Sequence, residues 1–330
     1  MYFKNLQNII DILRRKKSSR IRTEAGYLHL PIYPSTGIIY QGSSGLYNEH
    51  GERLDEFFVR DAIFSYYPYR FSRYFIWDRF NYSLKIHFYT HSSILEPVGN
   101  PDRKYACFIE SEEITPHDYK IFDKHKGLNK DFDLIFTHSA DLLEKYDNAR
   151  FVPFCASFFG CKLVSEKHYE QKSKGISILS SQKELTPLNT YRLQLARECR
   201  RDGIADAFGT FDGGSAVPIQ DTLKDYRYSF CIENAVKPYF FTERIICAFA
   251  NQTIPIYLGA TKIDKFFNPD GIIKITTKSD IKEVIKQCTK EEYERRLPAI
   301  LDNYVRCQEY VNSWDYMYEK YFIKDKQISV

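Results

Sequence analysis

Long apolar runs are missing from this sequence. No stretch reaches the roughly 18–20 apolar residues that a helix needs to cross a bilayer, so no membrane span is expected. None of the eight cysteines forms a CxxC pair, which excludes zinc-finger spacing. An excess of one charge is also missing. The 47 Lys and Arg against 43 Asp and Glu leave only +4, too little for a dedicated nucleic-acid binder. With 15 Gly and 13 Pro in 330 residues, collagen-like and low-complexity chains are excluded. There is no internal repeat.

What is present is ordinary globular composition, 43% hydrophobic and 27% charged, in a length that predicts two domains. Aromatics stand out, with 26 Tyr and 25 Phe. They suit strands and clefts that stack on sugars or bases, and a codon bias toward Phe and Tyr accounts for them equally well. Cys107, Cys155, Cys161, Cys199, Cys231, Cys247, Cys288 and Cys307 read as reduced thiols packed as small hydrophobes. The first residues place a short apolar part before their positive charges, the reverse of a secretory signal. A cytoplasmic location is therefore expected. Arg14, Arg15, Lys16 and Lys17 follow an amphipathic pattern of Ile9, Ile10, Ile12 and Leu13. This segment reads either as a peripheral contact with an anionic membrane face or as a solvated helix end.

Strand-like and helix-like runs alternate along the chain. Strands are expected at 85–90, 105–109, 132–137 and 151–154, with Ser139 capping a helix that turns Leu142 and Leu143 inward. A polar stretch, Ser165 to Lys174, marks the boundary between domains 1–165 and 166–330. The pattern restarts with strands at 176–180, 204–208, 226–232 and 253–258, helices at 191–201 and 242–250, and a helical tail from 279 to 322. Such alternation predicts an α/β fold of two Rossmann-like, doubly wound domains. Their ligands sit beyond the carboxyl ends of the strands.

The segment Tyr226 to Pro269 carries the most chemistry. A strand ends at Glu233-Asn234, and Pro238-Tyr239-Phe240-Phe241 leads into a helix starting at Thr242-Glu243-Arg244. A helix start with an arginine fork suits phosphate, and Asn234 and Glu243 suit sugar hydroxyls. The same residues also read as a capping Thr with charges on the first helical turn.

Tyr226-Arg227-Tyr228, Ile232-Glu233-Asn234, Phe240-Phe241-Thr242-Glu243-Arg244 and Ile254-Pro255-Ile256-Tyr257-Leu258-Gly259 follow one another in order. Together they resemble the donor-binding core of the α-1,3-fucosyltransferases, glycosyltransferase family 10. Weaker similarity extends back through Asp212-Gly213-Gly214-Ser215 to Tyr191-Arg192. The resemblance implies a GT-B fold whose N-terminal domain takes an acceptor glycan and whose C-terminal domain takes a GDP-sugar. It implies inverting transfer of fucose from GDP-β-L-fucose, in lipopolysaccharide or other surface-glycan synthesis, with no further cofactor. Arg192, Gly213, Gly214, Glu233, Asn234, Phe240, Thr242, Glu243 and Arg244 match its donor positions. Arg244 stands for the family lysine, and Phe240 stands where many members have Tyr. These two departures keep another nucleotide sugar open as an alternative, beside a non-catalytic glycan-binding relative.

Inverting transfer needs a base on the acceptor side. Glu110-Ser111, at the end of a strand, resembles the family's Glu-Ser-Pro segment. The order of candidates is Glu110, Glu112 and Glu113. Asp131-Phe132-Asp133 spells a metal-binding DxD, but it opens a strand instead of closing one. His87 and His91 do not share a face in a strand-then-loop context, so no metal site is implied.

Overall fold

The computed structural model describes residues 55–60, 75–77, 86–95, 97, 100–158 and 161–322. The basic segment Arg14 to Lys17 lies outside them. The chain forms two compact units. One takes the described residues up to Phe154 and those from Asn312 on, and the other is Cys155–Val311.

The first unit is built on six strands: β1 (Asp55–Arg60), β2 (Phe75–Trp77), β3 (Ile86–Thr90), β4 (Arg103–Cys107), β5 (Leu134–Thr137) and β6 (Ala149–Phe151). They form one sheet in the order β2-β1-β3-β4-β5-β6, with every pairing parallel. Helices α1 (Ile121–Lys124) and α2 (Ala140–Lys145) lie on the connections around β5. Ser139 caps α2 as expected, its hydroxyl accepting from the Leu142 amide at 3.4 Å.

Alternation along a strand sends neighbours to opposite faces, and the aromatics exploit both. Tyr89, Phe108, Phe122, Phe132, Ile135 and Leu142 belong to one core cluster. Phe88, Tyr105 and Phe136 form a separate ring stack, with centroids 5.0–6.4 Å apart. The C-terminal helix Ser313–Tyr321 covers this second stack. Trp314 meets Phe88 edge-on at 5.9 Å, and Phe322 meets Tyr105 at 5.2 Å. Ser313 Oγ donates to the Phe154 carbonyl at 2.7 Å, and Tyr321 Oη to the Phe151 carbonyl at 2.8 Å. Here the excess of aromatics serves core packing.

The second unit holds β7 (Lys174–Leu179), α3 (Pro187–Asp202), β8 (Asp206–Phe208), β9 (Tyr226–Ile232), α4 (Glu243–Ala250), β10 (Ile254–Leu258) and β11 (Ile273–Lys274). It ends with α5 (Ile281–Lys286), α6 (Lys290–Arg295) and α7 (Leu297–Arg306). The sheet is again parallel, in the order β11-β10-β9-β7-β8. β10 is buried along its whole length, and β9 is buried at all positions but Arg227. A parallel strand covered on both faces favours a continuous apolar run, which β10 supplies in full. The chain leaves β7 toward β8 and then returns to place β9 on the other side. The strand order therefore reverses between β7 and β9, the point where doubly wound sheets bind their ligands.

This division differs from the expected 1–165 and 166–330 at both edges of the second unit. The described residues between 155 and 164 join that unit: the Val164 amide donates to the Ala250 carbonyl at 3.1 Å, and Tyr304 Oη donates to the Val164 carbonyl at 2.6 Å. The tail past Val311 leaves it for the first unit. The polar stretch at 165–174 is itself docked. Gln252, fully buried at φ 56°, donates to the Ser165 and Glu166 carbonyls and accepts from the Tyr169 amide. Lys172 is buried, its ammonium donating to the Leu223 carbonyl and to Thr253 Oγ1, and desolvation pushes its pKa well down.

All eight cysteines are free thiols, and all but half-buried Cys288 are buried. Among the described residues, no helix is long and apolar enough to cross a membrane. Nor, among them, do three His, Cys, Asp or Glu side chains come together to hold a metal ion.

Candidate functional site

The carboxyl edge of the second sheet gathers most of the expected donor residues. Thr186 caps α3, accepting from the Asn189 amide at 3.2 Å, and Pro187 opens the helix. On the second turn Arg192 lies buried, 3% exposed. Its Nη1 donates to the Ile232 carbonyl at the end of β9, 2.6 Å away. Its Nε has no hydrogen-bond partner. Burial pulls its pKa down to about 9, and the nearby charge of Arg244 adds to this, opposed by Glu233 and Glu243. The buried guanidinium thus keeps one donor unused at this edge, with Arg244 as a second cation close by. Asn234, one residue past the buried Glu233, likewise keeps its Oδ1 without a partner.

Thr242 is the N-cap of α4, its hydroxyl accepting from the Arg244 amide at 3.3 Å. Glu243 and Arg244 open the helix and are half-buried. The positive end of the dipole and Arg244 stand at the same helix start. The structure thus brings together Arg192, Asn234, Glu243 and Arg244 as groups able to take a ligand.

Three other expected donor residues serve the scaffold. Glu233 is fully buried, and its carboxylate is occupied by protein donors. Oε1 accepts from the Thr242 amide at 3.0 Å, Oε2 from the Thr242 hydroxyl at 2.7 Å, and Oε1 also from Tyr257 Oη at 3.4 Å. Phe240 is 1% exposed and packs inside the unit. Thr242 spends its hydroxyl on capping and on Glu233.

Gly213 adopts φ 78° in the loop after β8. At Gly214 a Cβ would lie 2.2 Å from the Gly209 carbonyl oxygen, so this glycine is required by the loop's own close approach. The loop is anchored by features that motif reading missed. Arg197 of α3 holds the Asp212 carboxylate with Nε at 2.9 Å and Nη2 at 2.6 Å. Gln182 Oε1 accepts from the Asp212 amide. Tyr257 was also missed, because a Tyr in an apolar strand carries no mark of what its hydroxyl reaches.

In the first unit, Glu110 follows β4 at the carboxyl edge of that sheet and is half-buried, with Ser111 buried beside it. Its carbonyl accepts from Tyr119 Oη and lies 3.1 Å from His138 Nε2. Glu112 and Glu113 lie on the following turn, Glu112 half-buried and Glu113 exposed. Asp133 of the DxD triplet is engaged locally, accepting from Arg103 Nη1 at 2.7 Å and from the Lys104 amide at 2.8 Å.

The class that the second unit defines is the doubly wound parallel α/β domain with its ligand edge at the strand-order reversal. More narrowly, residues 169–295 match the model of glycosyltransferase family 10 (fucosyltransferase), C-terminal part. A curated relative, the α-(1,3)-fucosyltransferase FucT of Helicobacter pylori, is 35% identical over 63 residues. The match spans 19% of this chain and 13% of that protein. Among solved structures, that of an α1,3-fucosyltransferase with GDP-fucose is 16% identical, over 81% of this chain and 86% of that one, at a TM-score of 0.44. Anabaena HepE in complex with UDP and glucose is 9% identical over 69% and 72%, at a TM-score of 0.47.

Proposed function

We propose that this protein is a GDP-fucose-dependent α-1,3/4-fucosyltransferase acting on a surface glycan such as lipopolysaccharide. The observation that carries the reading is Arg192: a buried guanidinium with an unpartnered Nε, held at the ligand edge of the family 10 segment. The donor pyrophosphate takes Arg192, Arg244 and the start of α4, where fixed donors stabilise the charge of the departing GDP. Asn234 and Glu243 take hydroxyls of the ribose or the sugar.

In the reaction, Glu110 removes the proton of the acceptor hydroxyl. That oxygen bonds to C1 of fucose, the bond from C1 to the phosphate oxygen breaks, and GDP leaves with the electron pair. Attack opposite the leaving group turns the β-linked donor into an α-fucoside. The protonated Glu110 then loses its proton to solvent.

The test is calorimetric titration of the purified protein with GDP, UDP and GDP-fucose, without acceptor. Binding of GDP and GDP-fucose but not UDP, lost in Glu243→Ala, is the expected result and opens an acceptor screen. Preference for UDP, or no nucleotide binding, overturns the reading.

A further inference from the structure

Glu233 has the place of a donor ligand in the motif but not the geometry of one. Its carboxylate is fully enclosed, and its two oxygens accept from three donors carried by two elements. Two of these donors belong to Thr242, the residue that starts α4. The third is Tyr257 at the end of β10, whose hydroxyl accepts in turn from the Ala260 amide at 2.9 Å. The space is closed from the remaining side. A Cβ at Gly259 would lie 2.4 Å from Glu233 Cγ and 2.4 Å from Tyr257 Oη.

Hydrogen-bond directions tie these groups into one device. Thr242 donates its only hydroxyl proton to Glu233, so its lone pairs are turned toward the Arg244 amide, from which they accept. The carboxylate therefore sets the hydroxyl, and the hydroxyl sets the first turn bearing Glu243 and Arg244. A carboxylate with two accepting oxygens can do this. A carboxamide of the same shape would turn an N–H toward one of Thr242's donors.

We propose that Glu233 is a positioning residue that, through Thr242 and with Tyr257, fixes the first turn of α4 so that Glu243 and Arg244 meet the donor. The proposal rests on the donor site assigned above. It is distinct from a direct contact, because Glu233 acts through Thr242 and never touches the ligand.

The test combines Glu233→Gln, Thr242→Val, Thr242→Ser and the double variant Glu233→Gln/Thr242→Val. Losing one buried hydrogen bond is a change of about tenfold. Glu233→Gln and Thr242→Val are expected to raise the GDP-fucose KM by about that factor while kcat at saturating donor and the acceptor KM hold. Thr242→Ser keeps the hydroxyl and restores the donor KM. The double variant is expected to be no worse than the poorer single one, since both break one device.

A second readout needs no donor. In the unliganded protein, amide exchange across 242–246 is expected to accelerate about tenfold in Glu233→Gln and Thr242→Val, and not in Thr242→Ser. Unchanged exchange overturns the proposal whatever the donor is. Accelerated exchange with no GDP-fucose binding supports the clamp while refuting the functional reading. Strictly additive losses, or a fall in kcat alone, also overturn it.

Discussion

Replacing Glu233 by Gln tests whether the buried carboxylate is held at a cost to stability. In the folded protein, burial raises its pKa from the ordinary 4.5 to about 7, with Glu243 adding to the rise and the Thr242 donors and Arg244 opposing it. An acid whose folded pKa lies above its unfolded value binds protons more tightly in the native state. Its contribution is therefore most favourable below about pH 4.5 and is lost as pH rises to 7. Each tenfold difference in proton affinity is worth about 1.4 kcal/mol, so the full loss is about 3 kcal/mol, most of which falls between pH 5 and pH 8. Gln does not titrate. The variant carries a constant penalty, about 1–3 kcal/mol, for the mismatched donor at Thr242. The assay is urea unfolding of both proteins at closely spaced pH values from about 5 to 8, read as the difference in unfolding free energy. Other titrating groups cancel in that difference. The expected result is a difference that moves by about 2–3 kcal/mol in favour of Gln as pH rises. A difference flat in pH, or moving the other way, refutes the reasoning that Glu233 is a strained carboxylate near neutrality.

Glu110→Gln is expected to keep GDP-fucose binding in calorimetry while lowering transfer about 100- to 10,000-fold, the range for a lost general base; full transfer activity excludes Glu110 as base. Gly259→Ala forces a methyl against Glu233 and Tyr257 and is expected to cost about 1–3 kcal/mol in urea unfolding, with a raised donor KM. Trp314→Ala opens a cavity against Phe88 and Phe154 and is expected to cost about 3–5 kcal/mol in urea unfolding. GDP-fucose affinity at low urea is expected to hold, because Trp314 belongs to the other unit.

Legibility in the sequence followed burial. The 226–232 run predicts β9 residue for residue, because a central parallel strand is rich in aromatic and apolar residues, here interrupted only by Arg227 and Ser229. Thr242 shows its place as a cap by its position before Glu243. Motif order alone locates Arg192, Asn234, Glu243 and Arg244 on one edge. A motif names residue types without saying where a side chain turns, so it set Glu233 among the ligands when its oxygens face inward. The same limit hid Tyr257, whose apolar strand gives no sign of a hydroxyl reaching a carboxylate. Lys172 and Gln252 were lost for the opposite reason. Lys172 sits in a polar stretch that reads as linker, Gln252 in a polar turn between a helix and a strand, and only the fold shows both satisfied inside the unit. The helical tail was legible as helix, but its apolar face does not say which sheet it will cover.

That final helix gives the first unit an order of assembly. The ring stack of Phe88, Tyr105 and Phe136 is closed by Trp314 and Phe322, which leave the ribosome only after all of Cys155–Val311 has been made. At roughly 5–20 residues per second, that delay is about 10–30 s. During translation the face of the first sheet that carries these rings waits for its covering helix until the whole second unit has been made.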